Sequence, residues 1–440
     1  MEAFIDFFLE VGKLKTIKRR GWVLRGIKKP ESVADHAFRV LILAWVFGRN
    51  SRLNVKRLLK LGLVHSLSAV HIDYISPYDK LLAIKSKKEL LKKYPALELR
   101  APVTEKGRII TQRFKEEEKA VKQLFNNLPD LTKNELISLW YDFQNKTSKE
   151  AKALKVLDRI ENLIQALEYK NELSKELIEP FLYQVSEITD DKNILNFAVS
   201  VEEYFLKGAP KKAKNRKNVR LIEFLTSIGK LKTIKRIGWM YGGAKEGDTE
   251  SVAAHSFRLA LMAWILRGRR RFDVEKLIKM SLVHDFVTVY AGDTTPFDDL
   301  ITKDLKKDKS ILEVWPTRTG DEKRHLTVER RHAEKKALDK ILKYLPIDFQ
   351  DEVRSLWFEY EEGFSKEGRL VRQVDRIEKL LQAIVYKNEG IYKPSIDPYW
   401  VQLKTLVDDS VLIDFVENVD KWYYGGKQAS KSVDKARLTK

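Results

Sequence analysis

The chain of 440 residues contains no cysteine. That absence excludes disulfides, thiolate metal sites and a cysteine nucleophile. No uncharged apolar run approaches the length needed to cross a bilayer. The opening Met1-Glu-Ala-Phe-Ile-Asp-Phe-Phe8 places acids inside its apolar stretch, unlike a secretory leader. A cytoplasmic protein with no membrane contact is the expectation. Sustained alternation of apolar and polar residues is missing too, which predicts no significant β-sheet and an all-α fold. Negative charge is in short supply: 83 Lys and Arg stand against 63 Asp and Glu, a net charge of +20. Such an excess favours anionic partners, whether nucleotides, RNA or DNA.

What is present is a repeat. Gly12-Lys-Leu-Lys-Thr-Ile-Lys-Arg19 recurs as Gly229-Lys-Leu-Lys-Thr-Ile-Lys-Arg236, and Gly21-Trp22 as Gly238-Trp239. In the same order, Glu31-Ser-Val-Ala-Asp-His36 recurs as Glu250-Ser-Val-Ala-Ala-His255, and Leu63-Val-His65 as Leu282-Val-His284. Leu128-Pro129 matches Leu345-Pro346, and Asp158-Arg-Ile160 matches Asp375-Arg-Ile377. Two copies of one fold are therefore expected: residues 1–206 and 221–424, joined by a basic linker at 207–220 and followed by a disordered tail at 425–440. The linker carries Gly, Pro and only basic charge. It reads as a solvated tether or, more sharply, as a nucleic-acid or phosphate contact.

Within each copy the apolar spacing predicts helices. They are expected over 37–47 and 256–266, 55–64 and 274–283, 115–128 and 331–345, 136–143 and 353–360, and 148–169 and 365–386. Ser148 and Ser365 are suited to cap the last pair. Three residues on stand Ala151 and Gly368, so neither start is a capping box. The charged stretches 78–114 and 297–331 are expected to be lids or loops beside the site.

The chemistry concentrates in the second copy. A lone histidine on an apolar helix is usually structural, but here His255, His284, Asp285 and Asp375 lie on three predicted helices. Burying such acids without a partner is costly, and a divalent cation shared by all four removes that cost. Adjacent helical residues do not face one another, so the ion is expected in the angle between His284 and Asp285. The mixed imidazole and carboxylate set suits Mn²⁺, Fe²⁺, Co²⁺, Ni²⁺, Zn²⁺ or Mg²⁺ without choosing among them.

These motifs resemble the HD-domain phosphohydrolases, and within them the 5′-deoxynucleotidase branch. The resemblance rests on Arg236 to Trp239, Glu250 to His255, Leu282 to Asp285, Gly292 to Pro296, and Asp375 with Leu381-Gln-Ala383. The first copy joins it through Pro30 to His36, Glu116 to Glu118, Leu139-Trp140 and Leu163 to Tyr169. It implies two tandem helical bundles and a metal-dependent phosphomonoesterase acting on deoxynucleoside 5′-monophosphates. The four named side chains would hold the metal, and Arg236 and Trp239 the substrate. Trp239 would stack on a base or pack in the core. Asp293 would lie against the sugar or the catalytic water. Members of the family pair as dimers, so the duplication implies an intramolecular pseudo-dimer, alone or within a higher homo-oligomer.

Two departures matter. The family has a glutamate three residues after the His-Asp aspartate, where this chain has Thr288. The first copy keeps His36, His65 and Asp158, but Ser66 replaces the aspartate, Ala69 stands in the glutamate position, and Asp73-Tyr74 replaces Gly-Asp. His71 is extra and available as a substitute ligand or for packing. The first copy is thus expected to be degenerate. A retired scaffold that binds a nucleotide or nucleic acid without catalysis is the alternative.

Overall fold

The computed structural model describes residues 1–72, 103–208, 216–295, 297–302, 304–315 and 319–437. Asp73-Tyr74, most of the 78–114 stretch, linker residues 209–215 and Pro296 lie outside the described residues. Among those described, every regular element is helical. The only extended pairings are two isolated bridges, Lys18 with Ser32 and Lys235 with Ser251, at matching points of the repeat.

The first half runs α1 (Glu2–Gly12), α2 (Arg20–Leu24), α3 (Val33–Gly48), α4 (Val55–Val64), α5 (Val103–Phe125), α6 (Asp130–Asn145), α7 (Lys149–Glu168), α8 (Lys175–Ser186) and α9 (Lys192–Lys207). The second half repeats this as α10 (Arg216–Gly229), α11 (Ile237–Tyr241), α12 (Val252–Leu266), α13 (Val274–Val283), a short α14 (Thr288–Ala291), α15 (Leu305–Val314), α16 (Gly320–Leu342), α17 (Ile347–Glu362), α18 (Lys366–Asn388), α19 (Asp397–Leu406) and α20 (Ser410–Arg437).

Several boundaries differ from the sequence expectation for identifiable reasons. Helix α5 starts at Val103 rather than Lys115. The i,i+4 ion pairs Arg113–Glu117 and Lys122–Glu118 add to it. Helix α16 starts at Gly320 behind a capping box built by Thr319 and Glu322, so much of the 297–331 stretch is helical rather than loop. The backbone of 425–437, expected to be disordered, continues α20. Beyond Gly425-Gly426, its Lys, Gln, Ala and Arg residues favour helix once the preceding turns are docked. The last five linker residues likewise open α10. The serine caps stand as read: Ser148 accepts from Ala151 N and Ser365 from Gly368 N. A Cβ on Gly368 would meet the Glu359 carbonyl oxygen at 2.3 Å, which explains why no glutamate sits there.

The two halves share one core. Helices α3 and α12 pack against each other at its centre. Every residue of α12 is buried, because the helix faces its own bundle on one side and the other half on the other. It is apolar on most sides as a result, with His255, Ser256 and Arg258 as its polar residues. Around this pair the contacts are reciprocal. Helix α1 packs on α12, and α10 packs on α3. Lys60 lies over the Trp264 ring at 4.9 Å, and the matching Lys279 lies over Trp45 at 5.2 Å. The chain is therefore an intramolecular pseudo-dimer of two helical bundles. No helix among the described residues is long and apolar enough to cross a membrane.

Candidate metal centre and active site

Three elements of the second half bring the site together. Ser251 caps α12 by accepting from Ala254 N at 3.0 Å, which places His255 one turn into a buried helix. His284 ends α13, whose last turn leaves the Ser281 carbonyl free. The imidazole Nδ1–H donates to that oxygen at 2.8 Å, so Nε2 carries the lone pair. Asp375 projects from the middle of α18. His255 is oriented in the same manner: Nδ1 lies 2.5 Å from Glu378 Oε2, leaving Nε2 to face Asp375.

One ligand atom from each of His255, His284 and Asp375 lies within 4.8 Å of the other two. His255 Nε2, His284 Nε2 and Asp375 Oδ1 are all buried without a hydrogen-bond partner. His255 Nε2 and Asp375 Oδ1 stand 3.0 Å apart as an ion contact but are not aligned for a hydrogen bond. An unsatisfied buried polar atom costs roughly 1–3 kcal/mol. Three such atoms converging on one point are accounted for together if a cation belongs there, so the residues fit a divalent metal.

Asp285 is not part of that three-residue group. Its Oδ2 lies 3.1 Å from His284 Nε2 and accepts from Arg236 Nη1 at 2.7 Å. Burial alone would push its carboxyl up, but His284 and Arg236 overcome this and hold it well below the usual range. Asp375 is likewise pushed up by burial and pulled further down by Lys379, which donates to its Oδ2 at 2.7 Å, and by His255. Tyr360 donates to the same oxygen at 3.0 Å.

Arg236 spans Asp285 and Asp293, the latter at 3.2 Å. Gly292 reaches φ +83°, a backbone region open to glycine, and so turns Asp293 back to accept from Ile237 N at 2.6 Å. Burial raises the Asp293 carboxyl; Arg236 opposes that shift and Asp285 adds to it. Trp239 is buried, stacked on Tyr399 and edge-on to Tyr386 and Tyr392, with its indole N–H on Glu250 at 2.8 Å. Of the two roles the sequence left open for it, packing is the one seen. Thr288 is buried, and its N–H donates to the Asp285 carbonyl at 3.1 Å.

Sequence reasoning missed the wall beside Asp375. A cavity of about 190 Å³ is lined there by Arg330, Tyr360, Arg372, Arg376 and Lys379 along with Asp375. Arg372, Arg376 and Lys379 follow the helical period of α18 around the ligand, a signal visible in the sequence. Arg330 comes from the 297–331 stretch, read there as a lid or loop, and its approach is tertiary. Close by, Glu334 is pushed up to about 7, mainly by burial, with Glu361 and Asp285 reinforcing the shift against Arg330.

The first half has the same frame and a different interior. His36, His65 and Asp158 again converge within 4.8 Å. Here, however, His36 Nε2 hydrogen-bonds Asp158 at 3.0 Å while Nδ1 bonds Glu161. Burial opposes the protonated ring, but the two acids outweigh burial and Arg19 and raise its pKa. Arg19 is the counterpart of Arg236, and this half has Ser66 where the second half has an acid. Arg19 turns inward to Asn162 at 2.6 Å, to Glu31 at 3.2 Å and against His36 at 3.0 Å. Among the described residues, His65 Nε2 and Ser66 Oγ are without a hydrogen-bond partner there. His71 sits near Glu10 at 3.9 Å and is in neither ligand group.

Two further clusters, Glu250-His255-Glu378 and Glu31-His36-Glu161, also have a cation's geometry. Each already holds a lysine ammonium: Lys15 in the first and Lys232 in the second. They are ion-pair networks rather than metal sites.

Comparison with known proteins finds relatives of part of the chain. Over 169 residues the chain is 36% identical to the 5′-deoxynucleotidase HDDC2 of Mus musculus, covering 38% of this chain and 71% of that protein. It is 33% identical to the HDDC2 of Dictyostelium discoideum, covering 38% of this chain and 78% of that one. A crystal structure of a protein from Pyrococcus horikoshii OT3 matches at 28% identity, covering 45% of this chain and 97% of that one, with a TM-score of 0.33. The HD domain family matches residues 11–196 and again 228–398, and the chain belongs to that family.

Proposed function

We propose that the second half is a metal-dependent phosphohydrolase acting on (deoxy)nucleoside 5′-monophosphates, and that the first half is a degenerate copy without catalysis. The observation carrying this reading is the convergence of three unpartnered ligand atoms on His255, His284 and Asp375. Relatives named as 5′-deoxynucleotidases support the substrate class.

On this reading His255, His284, Asp285 and Asp375 hold the ion. When bound, a divalent metal lowers the pKa of water and polarises a phosphoryl oxygen. Arg236, already fixed between two carboxylates, presents its planar fork to the phosphate. Lys379 and the arginines of the adjoining cavity offer further positive charge to it. Asp293 is buried enough to keep its carboxyl raised and shares Arg236 Nη1 with Asp285. It takes the proton-handling role that the family's glutamate would have at Thr288. Trp239 acts from behind, holding Glu250 and the Arg236 turn in place.

Purified protein supplied with Mn²⁺ or Co²⁺ is expected to release phosphate from a panel of deoxynucleoside monophosphates, and His284→Ala is expected to abolish that release. Release surviving in His284→Ala would count against this site. The second reading, a scaffold that binds nucleotides or nucleic acid without catalysis, draws on Thr288. It predicts tight, metal-dependent nucleotide binding with no phosphate released by the wild type.

A further inference from the structure

The repeated Gly-Lys-Leu-Lys segment does something that neither half does for itself. Lys15 of the first half is 2% exposed at its side chain, and its ammonium lies wholly among second-half groups. It contacts Glu250, sits 2.5 Å from Glu378 Oε1, and donates to Gln382 Oε1 at 2.9 Å. Glu378 is the carboxylate that orients His255 through Nδ1. Glu250 immediately precedes the Ser251 cap of the helix that carries His255. The room for this insertion comes from Gly12, where a Cβ would stand 2.5 Å from Arg258 Nη1, and Arg258 is itself bonded to Glu378 at 2.8 Å.

The mirror arrangement is also present. Lys232 of the second half pairs with Glu31 and Glu161 of the first, 2.8 Å from the latter, and a Cβ on Gly229 would stand 2.8 Å from Arg39 Nη1. Glu161 in turn bonds His36.

We propose that Lys15 is a positioning residue for the second-half metal centre, so that the degenerate first half completes the active half by supplying this cation. This inference rests on the metal reading of His255, His284 and Asp375. The physical reason is electrostatic. Glu250 and Glu378 bring carboxylate oxygens within 4.8 Å of each other and of His255 in a buried place. Lys15 lies between the two carboxylates, and Glu378 keeps its oxygen on His255 Nδ1. Without it the two acids repel at short range in a low-dielectric setting. Glu378 then turns from the imidazole toward whatever cation remains. Groups that orient a metal-bound histidine from behind govern metal affinity strongly, by about 10–100-fold when removed. The duplication therefore preserves a part that a single half lacks.

The pseudo-symmetry supplies its own control. Lys15→Met and Lys232→Met remove equivalent buried lysines from equivalent interfaces. A purely structural role predicts equal losses in the thermal stability of the metal-free proteins and no difference in metal binding. The proposal predicts that Lys15→Met weakens Mn²⁺ binding, followed by the electron paramagnetic resonance signal of free Mn²⁺, by about tenfold or more. Lys232→Met should stay within about twofold of wild type. Should Lys15→Met fail to fold, Gly12→Ala against Gly229→Ala asks the same question by displacing the segment without losing charge, and only Gly12→Ala should weaken Mn²⁺ binding. Equal Mn²⁺ affinity within either matched pair overturns the proposal. His255→Ala separates the two readings. If it binds Mn²⁺ as tightly as wild type, the metal reading falls and this inference with it. If it loses the ion while Lys15→Met keeps it, only this inference falls.

Discussion

Arg236 Nη1 lies 2.7 Å from Asp285 Oδ2, whereas its counterpart Arg19 has Ser66 at the matching position and turns to Glu31, Asn162 and His36 instead. The loss of that acid, together with Asn162 in place of Lys379, accompanies the turn of the first-half arginine onto its histidine. Asp285→Ser should make the second half resemble the first: Arg236 is freed from one of its two acids, and the ion leaves. Elemental analysis of purified protein is expected to find one tightly held ion per chain in wild type and none in Asp285→Ser. Two ions per wild-type chain, or undiminished metal in the variant, would show that the halves have been misassigned.

The reverse change, Ser66→Asp, gives Arg19 a partner and draws it from His36. A weak first-half site should appear, visible as a second Mn²⁺-binding event on titration. It should not raise phosphate release, because Ala69 and Tyr74 leave that half with neither the family's glutamate nor a counterpart of Asp293. A rise in turnover would mean that the first half needs less repair than its residues indicate.

Thr288→Glu restores an acid at the position where the family has one. General acid or base groups contribute about 10²–10⁴-fold to rate. A gain of roughly tenfold in kcat is expected, tempered by Asp293 already serving part of that role. Thr288 is buried, so the larger side chain should cost about 1–3 kcal/mol in overpacking and lower the Tm. An unchanged kcat in a protein that has kept its fold would show that Asp293 suffices.

His65 gives a pH dependence of defined sign. Its folded pKa is pushed from 6.5 down to about 4, first by burial and then by His36. Between those values the unfolded chain takes up a proton that the folded chain refuses, so stability falls as pH drops through that window and levels off below it. The contribution is at most about 3 kcal/mol. His36, raised rather than lowered, has the opposite sign: its stabilisation is full below its unfolded pKa and fades as pH rises through the folded one. In metal-free buffer, His65→Asn should flatten the decline between pH 6.5 and 4 in denaturant melts. An equally steep decline in that variant would rule out His65 as its source.

Chain-local information was enough for the helical class, the duplication, the serine caps and the naming of His255, His284 and Asp375, which the fold brings together. Helical periodicity, ordered repeats and motif spacing are properties of neighbouring residues. The same information shows Ser66, Ala69 and Thr288 as departures, since each is a substitution at a matched position. What lay beyond it is what depends on approach between distant segments. The placement of Arg330 beside Asp375, the burial of Trp239 among three tyrosines and the inward turn of Arg19 are set by which helices meet. The clearest case is Gly12-Lys-Leu-Lys15. Its recurrence was plain from the sequence, but nothing in a linear pattern says that its lysine enters the opposite half. That follows only when α1 docks on α12 and Lys15 joins Arg258 on the buried pair Glu250 and Glu378.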